Sequence, residues 1–188
     1  MFEYVRADIK RKFKMYLREK TLMGRLRLIA QFGTIAVVVY RFGSWAYKLK
    51  IPVVREILFS VYSVLKLVVM VCAGINIQTK AEIGKGFIIH NFSGIFVGAT
   101  KIGDNCVINQ GVTVGNIRGT EHRPLIGNNV YLGTGCTVLG PVKIGDNVMI
   151  GANSLVIEPV PDNCTVMGVP TKIVSRIVTS PYLKFTEY

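Results

Sequence analysis

An aliphatic residue occupies every sixth position along the second half of the chain. These positions are Ile102, Ile108, Val114, Ile126, Leu132, Val138, Ile144, Ile150 and Val156. The gap between Val114 and Ile126 spans two periods, so the rhythm continues across it. An amphipathic helix needs spacings of three and four, and a half-buried strand alternates every second residue. A period of six instead predicts a three-sided parallel coil, in which three periods complete one turn and the aliphatic side chains stack inside.

An earlier run of isoleucines has the same spacing. It comprises Ile77, Ile83, Ile89 and Ile95, and one extra residue then shifts the phase to Ile102. The fifth place of each period is often small or β-branched, as a second inward layer requires. These residues are Cys106, Val112, Val130, Cys136, Val142, Val148 and Ser154. Pairs such as Asp104-Asn105 follow glycines, where corners need relaxed backbone angles. An antiparallel sandwich with regular turns is the alternative, and it fits the sixfold spacing less well.

The pattern divides the chain into three parts. The coil is expected over residues 75–170, and a basic, aliphatic α-helical region precedes it over residues 1–74. Residues 171–188 form a C-terminal tail, which either closes the coil as a short element or lies over a neighbouring subunit. The predicted fold class is therefore mainly β, with an α-helical region at the N-terminus.

The formal charge of +12 is concentrated in the helical region. Residues 1–75 hold 14 Lys and Arg against 4 Asp and Glu, whereas residues 76–188 hold 9 against 7. The cations are interleaved with long aliphatic runs and no nucleic-acid-binding motif is present, so we expect no nucleic-acid partner. An anionic membrane surface fits this mixture better. Because no secretory signal opens the sequence, we expect a cytoplasmic protein, peripheral on the inner face of the cytoplasmic membrane.

Two apolar stretches in the helical region bear on how it meets a membrane. Residues 28–40 lack ionised side chains but are too few to cross a bilayer as a helix. Residues 57–77 are longer and are interrupted by Lys66. Three arrangements remain open: helices packed on the coil or on a neighbouring subunit, helices lying in the membrane interface, or a transmembrane helix. The residues of the expected interfacial belt are Arg25, Arg27, Arg41, Lys48 and Lys50 around Tyr40, Trp45 and Tyr47.

Histidines are the candidate catalytic groups, because imidazole accepts and returns a proton near neutral pH. The sequence has two: His90 follows Ile89 directly, and His122 lies in the irregular segment 116–125. A flat wall of a prism offers no pocket, so a site needs that protruding segment or the groove between two prisms. The four cysteines lack paired spacing, and we interpret them as small core residues rather than metal ligands or disulfides. We therefore expect no metal.

Several segments resemble the hexapeptide-repeat, left-handed β-helix acyltransferases, and within them the serine O-acetyltransferase-like branch. They are residues 1–10, 40–45, 83–90, 109–115 and 168–172. The resemblance implies a left-handed parallel β-helix, a homotrimer, and acetyl-CoA as the acyl donor in the groove between adjacent coils. The donor contacts that it implies in this chain are Gly133, Thr134, Gly151, Ala152 and Lys172.

The motifs that carry chemistry in this family are altered here. Serine acetyltransferases typically read Asp-Ile-His-Pro and Asp-His-Ala-Thr-Gly, where this chain has Asn-Ile-Gln-Thr at 76–79 and His-Asn-Phe-Ser-Gly at 90–94. The family histidine therefore falls on Asn91, and His90 lies one place earlier. The later Arg-His-Pro motif becomes His122-Arg123-Pro124. A step of one residue on a strand turns a side chain to the other face, so His90, His122 and Asn91 are all candidates for the catalytic position.

We expect an acetyl-CoA-dependent O-acetyltransferase that acts by direct transfer, without a covalent acyl-enzyme, on a sugar hydroxyl of a saccharide or polysaccharide precursor. The altered serine-type motifs favour the sugar, and Arg118 and Arg123 are the candidate residues for holding it. His90 is the first candidate for the general base, and His122 is the second. Serine O-acetylation for cysteine synthesis is the alternative function. A non-catalytic trimeric scaffold is the alternative from another class.

Overall fold

The computed structural model describes residues 1–17, 21–117 and 122–176. The helices are α1 (Phe2–Tyr16), α2 (Leu22–Ile29), α3 (Phe32–Tyr47) and α4 (Pro52–Ala73). The strands that follow are β1 (Ile75–Ile77), β2 (Glu82–Ile83), β3 (Ile88–Ile89), β4 (Ile95–Val97), β5 (Lys101–Ile102), β6 (Val107–Ile108), β7 (Thr113–Gly115), β8 (Leu125–Ile126), β9 (Tyr131–Leu132), β10 (Thr137–Leu139), β11 (Lys143–Ile144), β12 (Met149–Ile150), β13 (Leu155–Val156), β14 (Thr165–Met167) and β15 (Lys172–Ser175).

The strands form three sheets, and each sheet takes every third strand up to β13. Sheet A has the order β1-β4-β7-β10-β13, sheet B the order β2-β5-β8-β11, and sheet C the order β3-β6-β9-β12-β14-β15. The chain therefore passes from A to B to C in each turn, which is the topology of a three-sided coil. The neighbouring strands run parallel, apart from β15, which folds back antiparallel on β14. The predicted fold class, a parallel β-helix of hexapeptide repeats preceded by helices, is confirmed.

The aliphatic columns predicted from the sixfold spacing are buried and in register. In sheet B, the residues Ile83, Ile102, Ile126 and Ile144 stand over one another in successive turns, and all four are almost completely buried. The small residues at the fifth places are buried as well, so they form the second inward layer. Burying each large aliphatic side chain contributes roughly 1.5–3 kcal/mol. The coil is thus held together by a continuous apolar core.

One detail of the predicted phase is wrong. Val97, and not Ile95, pairs with Ile77 in the neighbouring strand of sheet A. The corner before this strand contains Ser93 and Gly94, both in the left-handed region with φ of 88° and 65°. These residues lengthen the corner, so the break in the rhythm comes before β4 and not only before Ile102.

The corner between sheets B and C carries a ladder of asparagines. The four residues and their φ angles are Asn105 at 62°, Asn129 at 55°, Asn147 at 55° and Asn163 at 57°. The side-chain amides of the first three each donate to the side-chain oxygen of the next asparagine, over 2.8–3.0 Å. Asparagine tolerates the left-handed conformation better than most residues. The corners predicted from the Asp-Asn pairs are therefore present and are tied together from turn to turn.

Helices α3 and α4 close the end of the coil at which it begins. Tyr40 from α3 and Ala73 from α4 belong to the same apolar cluster as the first turn of strands. At Gly33 the backbone of α3 comes so close that a Cβ would lie 2.5 Å from the carbonyl oxygen of Ile89. Glycine is required there because no side chain fits between the helix and the strand.

The first turn of the coil has no turn beneath it, and this leaves backbone carbonyls without partners from the coil. Higher up, the carbonyl of Ile102 accepts the N–H of Gly84 from the turn below. The equivalent carbonyl of Ile83 instead accepts a hydrogen bond from Arg41 Nη1 at 2.6 Å. An unpaired buried carbonyl costs free energy, so the arginine takes the place of the missing turn.

Other side chains of α1 and α3 do the same along this edge. The bonds are Tyr40 Oη to Ala81 O at 2.6 Å, Arg11 Nη1 to Gly86 O at 2.6 Å and Lys12 Nζ to Ile89 O at 3.1 Å. Asp8 accepts Arg41 Nε at 2.9 Å and pairs with it in the buried interface. We call Asp8, Arg11, Lys12, Tyr40 and Arg41 the polar seam. Tyr40 and Arg41 are therefore buried, and their assignment to an interfacial belt is wrong.

Candidate active site

One edge of the prism, where sheet C leads into sheet A, gathers most of the predicted site residues. His90, Asn109, Gly133 and Gly151 occupy equivalent places directly after the strands of sheet C. Each donates its backbone N–H to a carbonyl in the turn above, over 2.9–3.2 Å. We call this edge the C–A corner. Asn91, Thr134 and Ala152 follow in the same stack, so the first-choice base and four predicted donor contacts lie along one line.

Lys172 lies at the top of this corner. It opens β15 and pairs with Met167 at the end of β14, and Met167 in turn contacts the backbone at Gly151. Its side chain is exposed. A single chain thus places this cation at one end of the C–A corner and His90 near the other.

His90 is half-buried between the coil and α1. Its ring stacks on that of Tyr16, with centroids 4.3 Å apart and planes inclined by 21°. Nδ1 is buried and has no hydrogen-bond partner within the described part of the chain. Burial, and secondarily the cation of Lys12, lowers the pKa of His90. The imidazole is therefore neutral near pH 7, which is the form that can accept a proton.

Lys12 lies under this corner and was not foreseen as a site residue. Its Nζ donates to Thr34 Oγ1 at 2.8 Å and to the carbonyl of Ile89, the residue before His90. Burial lowers the pKa of Lys12 to about 8. The sequence does carry a signal, because Asp8, Arg11 and Lys12 recur at the spacing of one helix face. Hydrophobic periodicity identifies buried faces that are apolar, and this buried face of α1 is polar.

Asn91 is exposed on the C–A corner. Its Nδ2 donates to Oε1 of Gln110 in the next turn at 2.9 Å. An amide is not a base near neutral pH, so Asn91 can orient a ligand but cannot take a proton from one. The histidine position of the family motif is therefore occupied here by a hydrogen-bonding group, and Gln110 joins it.

Gly133 and Gly151 are required by the coil itself. A Cβ on Gly133 would lie 2.7 Å from Ala152 N, and one on Gly151 would lie 2.5 Å from Met167 Cγ. Their N–H groups already donate to carbonyls of the next turn. Ala152 is exposed and Thr134 is partly exposed, so these two residues present the free surface of the corner. The donor contacts at this corner stay a prediction.

The second histidine lies at a different edge, where sheet A leads into sheet B. His122 is exposed and precedes β8. Arg123 beside it is partly buried and lines a cavity of about 460 Å³ between this edge and the helices α3 and α4. Arg118, the other predicted acceptor-binding residue, lies outside the described residues. His90 and His122 therefore stand at opposite edges of sheet A, and one chain does not bring them together.

The cysteines of the coil are part of its core. Cys106, Cys136 and Cys164 are buried, whereas Cys72 on α4 is exposed. Burial raises the pKa of Cys106 and of Cys136 to about 12. Both are therefore thiols and not thiolate nucleophiles at neutral pH. Over residues 1–17, 21–117 and 122–176, no three His, Cys, Asp or Glu side chains form a cluster that could hold a metal ion.

Two family models match the coil: bacterial transferase hexapeptide (six repeats) over residues 123–158, and hexapeptide repeat of succinyl-transferase over residues 91–116. A serine acetyltransferase from Synechococcus elongatus is 34% identical over 180 residues, which cover 94% of this chain and 70% of the relative. The chain belongs to the serine acetyltransferase family of hexapeptide-repeat acyltransferases. Other curated serine acetyltransferases match over about half of their own length.

Solved structures of serine acetyltransferases have the same fold. The enzyme of Brucella abortus in complex with coenzyme A has a TM-score of 0.80 and 26% identity, and the match covers 94% of this chain and 68% of that one. The enzyme of Neisseria gonorrhoeae in complex with serine has a TM-score of 0.76 and 29% identity, with coverage of 91% and 68%.

These matches decide between the functions expected from the sequence. An O-acetyltransferase that uses acetyl-CoA as donor is confirmed. The sugar hydroxyl as acceptor is wrong, because the relatives and the structural neighbours are serine acetyltransferases. The altered motifs at residues 76–79 and 90–94 had favoured a sugar. The loss of these recognition motifs does not by itself show which acceptor the enzyme binds.

Proposed function

We propose that this protein is an L-serine O-acetyltransferase, which transfers the acetyl group of acetyl-CoA to the serine hydroxyl and releases the thiol of coenzyme A. The similarity to serine acetyltransferases over nearly the whole chain, helices and coil together, carries this proposal. O-acetylation of serine serves cysteine synthesis. Serine thus takes the place of the sugar acceptor expected from the altered motifs.

The C–A corner supplies the groups for this reaction. His90 takes the proton from the serine hydroxyl as its oxygen attacks the thioester carbonyl, and it returns the proton to the departing thiolate. Its lowered pKa keeps it neutral and able to do so near pH 7. Asn91 and Gln110 offer amide groups that orient the acceptor. Acetyl-CoA supplies the activated carbonyl, and Lys172 meets its phosphates at the top of the corner.

The arrangement of the two histidines supports a homotrimer. His122 lies at the other edge of sheet A, so it approaches the C–A corner only from an adjacent coil. A groove between two coils then has His90 on one wall and His122 on the other. The concave site that a single flat wall lacks is formed in this way. Light scattering on the purified chain tests the trimer, and a monomeric mass would contradict it.

Thiol release from acetyl-CoA tests the proposed reaction. We expect release that depends on L-serine and saturates with it, and background release with a panel of sugars. No turnover with serine, under conditions in which coenzyme A binds, would contradict the proposal.

Asn91→His places an imidazole at the position of the family histidine and sharpens the assignment of the base. If His90 is the base, this variant leaves the turnover with serine nearly unchanged. A rise in turnover of about tenfold or more would instead assign the position of the base to residue 91 and not to His90. A well-placed general base contributes about 10²–10⁴-fold, so a new base at residue 91 could produce such a rise.

A further inference from the structure

Helix α4 presents an apolar surface to the outside of the molecule. Most of its aliphatic side chains are exposed, with Val71 at 73% and Val64 at 63%. Only 17% of its most apolar 18-residue stretch is buried. Scattered exposed aliphatic residues are normal on proteins, but a continuous face along a 22-residue helix marks a surface that is covered by something other than water.

The helix is attached to the protein along a narrow stripe on its opposite side. Tyr62 Oη lies 2.7 Å from Thr79 Oγ1 of the coil, and Val69 and Ala73 belong to the apolar cluster under the first turn. A helix fixed to the coil at its middle and at its end cannot cross a bilayer without drawing the coil in with it. The helix is long and apolar enough to span, but of the three arrangements left open by the sequence this packing favours a helix lying along the surface of the coil.

The polar groups of α4 are placed away from the exposed face or are already satisfied. Ser60 and Ser63 donate their hydroxyls to backbone carbonyls one turn earlier, at 2.9 and 2.8 Å. Lys66 is the one charged residue of the segment 57–73, and it lines the cavity beside Gln78 and Thr79 on the protein side. Burial lowers the pKa of Lys66. The outward face beyond Glu56 therefore carries no charge and needs no water.

Cations stand at the N-terminal end of the same helix. Lys48 and Lys50 are exposed directly before Pro52, and Arg55 is paired with Glu56 at 2.9 Å. An apolar helix face with lysines at its border matches the interface of a bilayer, where acyl chains lie next to anionic headgroups. A second protein chain has no corresponding need for exposed cations at the edge of an apolar face.

We propose that α4 is a membrane-surface anchor, which lies in the plane of an anionic phospholipid bilayer with its outward face among the acyl chains and Lys48 and Lys50 among the headgroups. The coil, whose first turn packs on α4, then stands on the membrane. This proposal concerns location and does not depend on the acceptor of the acetyl group.

Cys72 provides a site for testing the proposal on the full chain. It is exposed on α4, about two helical turns after Val64, whereas the other three cysteines are buried. An environment-sensitive fluorophore on Cys72 should brighten and shift to the blue with vesicles of phosphatidylcholine and phosphatidylglycerol. Phosphatidylcholine alone should give a smaller change. Nitroxides at shallow acyl positions should quench it more than nitroxides at deep positions, because the helix lies in the interface.

Val64→Glu combined with Val71→Glu should weaken vesicle binding by about tenfold or more, since both carboxylates would have to enter the acyl region. Val174→Glu is compared with the single variant Val64→Glu, because each adds one carboxylate in place of an exposed valine, and Val174 lies in β15, the last strand, and not in α4. Circular dichroism checks that the variants remain folded. Serine-dependent thiol release in solution should be the same in all of them, so the outcome for the membrane is separate from the outcome for the enzyme.

Three results would overturn the anchor. The first is equal vesicle binding by the Val64→Glu and Val174→Glu variants. The second is a fluorescence change that needs no vesicles and grows with protein concentration, which would show that a second copy of the chain covers the face. The third is no response to anionic vesicles at all.

Discussion

In the coil, most buried side chains are aliphatic and the charged ones face outward, whereas in the helical region this order is partly reversed. Leu132 and its neighbours in the columns are completely buried. In α1 the buried residues are Asp8, Arg11 and Lys12, and in α4 most of the valines are exposed. The coil satisfies its own backbone from turn to turn. The helices instead satisfy the last carbonyls that the coil cannot, and for this they need buried donors.

The comparison shows that the basic residues of the N-terminal region have two separate roles. Arg11, Lys12 and Arg41 belong to the polar seam and donate hydrogen bonds to backbone carbonyls of the coil. Lys48 and Lys50 remain exposed and are available for an anionic surface. A count of cations joins these two sets, although the first is buried against the coil and the second is exposed after the end of α3.

The largest expected effect comes from opening the polar seam. Asp8→Ala leaves Arg41 buried without its carboxylate, and we expect a loss of about 3–5 kcal/mol in the free energy of unfolding. Urea denaturation measures it. Glu3→Ala is the control, because Glu3 pairs with Lys85 on the surface and its removal should be nearly neutral. Equal losses in the two variants would mean that the seam is not what holds α1 and α3 to the coil.

The same substitution in the two regions should give opposite results. Leu132→Ala empties part of a fully buried column and should cost about 2–5 kcal/mol. Leu67→Ala removes an exposed side chain of α4 and should change the stability in solution by less than about 0.5 kcal/mol. Thermal unfolding of both variants is sufficient. A large loss at Leu67 would show that the outer face of α4 is buried in solution by another copy of the chain.

His90 lies at the junction of the two regions, between α1 and the C–A corner. His90→Gln should reduce kcat with serine by about 100-fold or more, because a general base typically contributes 10²–10⁴-fold. Steady-state thiol release measures it, and His122→Gln is compared in parallel. A larger loss in the His122 variant, with little change at His90, would transfer the role of the base to the other edge.

The smallest effect is a shift in a pH profile. Because burial and Lys12 lower the pKa of His90, kcat/KM should fall as the pH drops through an apparent pKa below the 6.5 of an unperturbed imidazole. Lys12→Met removes the nearby cation and puts an apolar side chain of similar length in its place. The apparent pKa of His90 should therefore rise toward 6.5. An unchanged profile in this variant would show that the titrating group is not His90.

Part of the active site could be predicted from the sequence, and part could not. The stack of His90 with Gly133 and Gly151 follows from the repeat, since residues separated by whole turns must lie over one another. The stacking of Tyr16 on His90 and the position of Lys12 beneath it do not follow. They depend on where α1 docks, and no periodic pattern encodes that contact. The acceptor was predicted incorrectly for a related reason, because a motif shifted by one residue shows what is missing and not what the new surface binds.

The sequence alone determined the coil. A sixfold spacing of aliphatic residues has one low-energy solution, in which each turn buries its apolar layer against the next and the corners fall on glycine and asparagine. Only the tertiary structure decided what lies at the beginning of that coil. A first turn without a turn beneath it leaves carbonyls that need donors, so charged residues were drawn inside and the aliphatic face of α4 was left outside. That inversion depends on the open edge of the sheets, which exists only after the coil has folded.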